Sequence, residues 1–102
     1  MLKHSLLLAG AAAVLFAAQP ASASYTCGIS ADGQNVIVKV SNPDPFKKSC
    51  TVNCQFKMPG GSASVGCSNT VPANAQDYEL CKKSTDGDKY TFREGDENCV
   101  KQ

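Results

Sequence analysis

Six cysteines constrain this chain more than any other feature: Cys27, Cys50, Cys54, Cys67, Cys81 and Cys99 all fall after the first quarter of a 102-residue sequence. An even set in a short chain reads as three structural disulfides, provided the chain reaches an oxidising compartment. The need is physical. A domain this small buries too little apolar surface to offset comfortably a chain entropy of roughly 1.5 kcal/mol per residue. Each bridge returns about 2 to 4 kcal/mol, largely by restricting the unfolded chain. Competing uses of the thiols fail on spacing. Cys50-Thr51-Val52-Asn53-Cys54 is C-x3-C rather than the C-x-x-C of redox motifs and zinc knuckles, and the sole histidine is His4, so a zinc site would have to be all-thiolate. The sequence therefore predicts no metal and no cofactor.

The compartment follows from the N-terminus. Met1-Leu2-Lys3-His4 gives a short positive start, Ser5 to Ala18 an almost unbroken apolar run, and Ala21-Ser22-Ala23 after Pro20 a small-x-small cleavage pattern. That is the layout of a secretory signal peptide, predicted here to span 1-23 and to release 24-102 as a single disulfide-rich domain. The apolar run is shorter than the roughly 20 residues that cross a bilayer, so no membrane span is expected. No cysteine directly follows the cleavage pattern, which argues against a lipid anchor. The Ala-rich signal and the absence of an Asn-x-Ser/Thr acceptor in 24-102 fit a bacterial protein that is periplasmic or secreted.

Period-two hydrophobicity dominates 24-102 and predicts strands. In Ser49 to Met58, Cys50, Val52, Cys54, Phe56 and Met58 alternate with polar residues. Asn35 to Val40 is rich in β-branched residues and closes at Asn42-Pro43-Asp44-Pro45. Pro59-Gly60-Gly61-Ser62 reads as a hairpin turn before the alternating Ala63, Val65 and Cys67. With Gly60-Gly61 as the two-residue loop, Cys54 falls opposite Cys67, which makes Cys54-Cys67 the one disulfide pairing the pattern suggests; a register shifted by two would set Val65 there instead. Further strands are expected at Tyr25 to Ser30, Asp77 to Lys82 and Lys89 to Arg93, and a seventh at Glu97 to Lys101. Together these predict an all-β fold, a small antiparallel sandwich or open barrel of immunoglobulin-like kind.

Chemistry is narrowed by what is missing. Without Lys3 the ten basic residues become nine against nine acidic, a neutral balance that argues against nucleic acid as a partner. The basic pairs Lys47-Lys48 and Lys82-Lys83 read as solvated rim. With no histidine in 24-102 there is no Ser-His-Asp or Cys-His pair, and no phosphate-binding glycine loop occurs. Asp77 and Glu79 would share a strand face, in a setting where acids serve solubility. Asp86, Asp88 and the Glu94 to Glu97 stretch lack calcium-loop spacing and read as turn formers. The chain is thus expected not to be an enzyme.

Cys50-Thr51-Val52-Asn53-Cys54, then Cys67, Val71-Pro72-Ala73-Asn74-Ala75 and Leu80-Cys81, resembles small six-cysteine exported proteins of proteobacteria. The resemblance implies the compartment and the β fold, and assigns no activity and no site residue. Two function classes stay open. One is a binding module that holds a protein or cell-envelope component through strand edges or a loop containing Pro43, Pro45 and Phe46, with Phe46 either exposed or a buried anchor. The other is a secreted inhibitor or toxin-like effector acting through a rigid loop, which a projecting proline-rich loop beside a disulfide would favour.

Overall fold

The computed structural model describes residues 24–102, six antiparallel strands and no helix among them. The strands are β1 (Ser24–Ile29), β2 (Asn35–Ser41), β3 (Lys48–Met58), β4 (Gly61–Val71), β5 (Tyr78–Ser84) and β6 (Thr91–Lys101). They form two three-stranded sheets, ordered β1-β2-β5 and β4-β3-β6. The predicted all-β sandwich is the architecture found; the sheets do not close into a barrel. The predicted signal segment lies outside the described residues.

Alternation decides the core. Val36, Val38 and Val40 of β2 face Cys50, Val52, Cys54 and Phe56 of β3, with Val65, Cys67, Val71 and Leu80 completing a continuous buried cluster. Burying these side chains supplies the hydrophobic drive, each Val or Leu contributing about 1.5 to 3 kcal/mol relative to exposure. Phe56 carries the aromatic end, its ring 5.3 Å from Tyr90 and 5.9 Å from Phe92. At Gly95 a methyl group would stand 2.8 Å from the Asn53 carbonyl oxygen of the neighbouring strand β3 and 3.1 Å from the Tyr25 ring of the opposite sheet. Only glycine lets β1 lie across β6 there.

The disulfides differ from the pairing read in the sequence. They join Cys27 to Cys54, Cys50 to Cys99 and Cys67 to Cys81, leaving no free cysteine. The expected Cys54-Cys67 bond is replaced because the hairpin loop is Pro59-Gly60, with Met58 opposite Gly61 and Val65 opposite Cys54. Pro59 explains the choice. Its fixed φ suits the first central position of a type II turn and forbids the primed types, which need a positive φ there. Gly60 follows with φ +82°, as the second central position requires. Two bridges then cross between the sheets, β1 to β3 and β4 to β5, while Cys50–Cys99 joins directly opposed residues of β3 and β6.

Bulges aim two of these cysteines. Tyr78 and Cys81 oppose the inward Val40 and Val38, so β5 must absorb one extra residue, Leu80. In β6 the extra residue is Arg93, between Phe92 opposite Phe56 and Glu94 opposite Gln55. The bulge sets both Phe92 and Cys99, an odd number of residues apart, on the core-facing side, where Phe92 packs edge-on against Phe56 yet stays 45% exposed. It also joins what the sequence suggests are two strands into one. Asp77 lies before β5 with φ +48°, so it does not share a strand face with Glu79.

Candidate functional site

The crossing from β2 to β3, residues 42 to 47, is densely hydrogen-bonded, and Asn42 organises it. This side chain is completely buried. Its Nδ2 donates to the carbonyls of Phe46 at 2.9 Å and Pro72 at 3.1 Å, and its Oδ1 accepts from the Asp44 N–H at 3.1 Å. The backbone adds Asn42 N–H to the Ala75 carbonyl at 2.8 Å and Asn74 N–H to the Asp44 carbonyl at 2.9 Å. Pro43 and Pro45 contribute no donors and fix their own φ, so little conformational freedom is left to this segment.

These constraints present Pro43, Pro45 and Lys47 to solvent, with Phe46 half-buried between them and the sheet. The Phe46 ring lies 4.6 Å from Lys101 Nζ and 5.7 Å from Lys48 Nζ, within cation–π reach of both. Phe46 is therefore neither a free aromatic nor a core anchor; one side packs and the other is accessible. Asp44 is ion-paired with Lys48. The Gln102 N–H donates to the Lys47 carbonyl, tying the loop to the end of β6, two strand residues from the Cys50–Cys99 bridge.

Lys48 corrects the reading of the Lys47-Lys48 pair as solvated rim. Lys47 is exposed, but Lys48 starts the inward alternation of β3 and keeps only 8% of its surface. Lys82 and Lys83 are exposed, as expected of rim residues. Glu97 is a second inward charge that periodicity passed over. It opposes Val52, and its Oε2 is buried without a hydrogen-bond partner. Burial raises its carboxyl pKa, and the Lys48 charge works against that rise. A raised folded pKa means that protonation favours the folded state, so stability is lost as pH climbs from the ordinary carboxyl value of 4.5 through the raised one. Glu97→Gln is therefore expected to raise the Tm at pH 7 and to leave it unchanged at pH 3, as read by thermal unfolding at the two pH values.

Away from this loop a concavity of about 240 Å³ opens on the outer face of the β4-β3-β6 sheet among Asn53, Gln55, Arg93, Glu94 and Asp96. There Asn53 Nδ2 donates to Asp96 Oδ1 at 3.3 Å, and Gln55 Oε1 accepts from Ser64 Oγ at 2.6 Å. Among the described residues no group of three or more His, Cys, Asp or Glu side chains is arranged to hold a metal ion, so Asp86 and Asp88 do not meet the acids of β6 in a calcium site. No described helix is long and apolar enough to cross a membrane.

Of the sequence-predicted site residues, then, Pro43, Pro45 and Phe46 share one braced loop, and all six cysteines serve the scaffold. Asn42 and Lys48 are the supports of this loop that sequence reading missed. Asn42 had a signal, since an Asn before Pro-Asp-Pro is a loop organiser as well as a strand terminator. No protein family matches the chain, and no curated protein or solved structure matches it either.

Proposed function

We propose that this is an exported, non-enzymatic binding module that uses the 42–47 loop to grip a protein or cell-envelope component in a bacterial periplasm or outside the cell. Three disulfides suit an oxidising compartment. The observation that carries the reading is the buried Asn42, which spends three side-chain hydrogen bonds on holding one short loop in a single shape. A pre-organised loop binds without the ordering cost that a flexible one would incur. Its exposed chemistry is proline rings, one face of Phe46 and the uncompensated Lys47 and Lys101, since Asp44 is engaged by Lys48. That combination fits an apolar cleft rimmed by carboxylates.

The same loop supports a second reading, a secreted inhibitor or toxin-like effector. The specific observation in its favour is that Pro43 and Pro45 are exposed on a loop tied beside the Cys50–Cys99 bridge. A photo-crosslinking residue placed at Pro45, with the exposed Lys82 of β5 as the control, tests both in the export compartment. Discrete adducts from position 45 that disappear when Phe46→Ala is added support loop-mediated binding. A hydrolase in the adduct whose activity falls when the pure protein is added selects the inhibitor reading. Adducts equal at both positions, or none, overturn the assignment to this loop.

A further inference from the structure

Four strands form the edges of this sandwich, and three carry the features that keep an edge from pairing with another chain. β1 has only six residues. β5 carries Glu79, Lys82 and Lys83 and is bulged at Leu80. β6 carries Arg93, Glu94, Asp96, Glu97 and Lys101 and is bulged at Arg93. β4 has none of these. Its eleven residues, GSASVGCSNTV, include no charge and no proline, and its register against β3 runs unbroken from Gly61 to Val71.

The two-residue loop fixes which backbone groups β4 leaves open. With Met58 and Gly61 closing the turn as a hydrogen-bonded pair, the odd-numbered residues of β4 bond β3, and Ser62, Ser64, Gly66, Ser68 and Thr70 point theirs outward. Thr70 agrees, because its N–H is taken by its neighbour's Asn69 Oδ1 at 2.8 Å rather than by β3. That leaves Ser62, Ser64, Gly66 and Ser68, all exposed, as a comb of free donors and acceptors.

We propose that β4 pairs antiparallel with β4 of a second copy, about a two-fold axis through Val65, to make one continuous six-stranded sheet. In that register Ser62 faces Ser68 of the other copy and Ser64 faces Gly66, so every free N–H and C=O of the comb meets its complement in about eight backbone hydrogen bonds. On the inner side Val65 meets Val65 and Ala63 meets Cys67, which extends the core row across the axis. A second copy is the occupant that the neutral edge favours. It meets small hydroxyl side chains with their own kind and brings no charge to an edge that offers none to pair with it. The pairing is independent of the 42–47 loop, which lies at the Val71 end of β4 and outside the comb.

An edge-only contact falls at the small end of specific interfaces, so the expected Kd is on the order of 10–100 μM. Sedimentation equilibrium of the oxidised protein across that range should show monomer and dimer, and the Ser62, Ser64, Gly66 and Ser68 amides should exchange more slowly as concentration rises. Ser64→Pro removes an N–H that β3 does not use, and should weaken the dimer at least about tenfold while the fold persists. Ser64→Lys, which adds a charge in place of removing a donor, should do the same and serves if the proline variant does not fold. A chain that stays monomeric up to about 1 mM overturns the proposal. So does a dimer that survives both substitutions, or an extended segment of another protein found on β4 instead.

Discussion

Replacing Cys50 and Cys99 together by alanine is expected to be the most costly of the three disulfide removals, at about 4 kcal/mol, against about 3.5 for Cys27 with Cys54 and about 3 for Cys67 with Cys81. The order follows from the loops that the bridges close, with sequence separations of 49, 27 and 14. A native-state view gives the opposite ranking. Cys50 and Cys99 already face each other across a ladder that pairs β3 with β6 from Lys48 to Lys57, whereas the other two bridges hold separate sheets together. Urea unfolding of the three double-alanine variants distinguishes the accounts. If the β1–β3 bridge is the most costly, these disulfides act by docking sheets and not by limiting the unfolded chain. Against a total stability of about 5 to 15 kcal/mol for small domains, the loss of about 4 kcal/mol takes from about a quarter to most of it.

The strands were legible because one face of each is core and the other water. β2 and β3 fall within one residue of where alternation places them. What alternation could not supply is register. Sliding the β3–β4 hairpin by two residues keeps every inward side chain inward, so the hydrophobic pattern is indifferent between Cys67 and Val65 opposite Cys54. The decision belongs to Pro59 and Gly60, and it sets Val65 rather than Cys67 opposite Cys54. Bulges defeat the pattern in a different way. The phase of β6 changes at Arg93, so a strand whose inward residues are Phe92 and then Glu97 and Cys99 looks like two short strands with a gap.

The loop at 42–47 was legible as a loop from its prolines, and its exposure follows from them. Its rigidity was not, because the partners of Asn42 include Pro72, which lies 30 residues away in the chain, and no local spacing announces that contact. Lys48 was misread for a related reason. A lysine at the head of an alternating strand is read from its neighbour Lys47, while its burial is set by the inward phase of β3 and by Asp44.

Asn42→Ala should cost about 2 to 4 kcal/mol, since it removes three hydrogen bonds and takes from the Phe46 and Pro72 carbonyls the amide that donates to both. Asn42→Asp separates the donor's role from simple volume. The aspartate keeps the shape and the acceptor for the Asp44 N–H, but turns an anion toward two carbonyl oxygens. Burial and those oxygens both raise its folded pKa above the usual carboxyl value, so it is tolerated best when protonated and its cost grows as pH rises through that value. Chemical unfolding at pH 4 and pH 7 should therefore show Asn42→Asp approaching the wild type at the lower pH and falling toward Asn42→Ala at the higher. Binding through the loop should follow the same course, because a partner that recognises Pro43, Pro45 and one face of Phe46 recognises them in the shape that the Asn42 amide holds. An Asn42→Asp protein that is destabilised at pH 7 yet binds its partner unchanged would place recognition elsewhere on the sandwich.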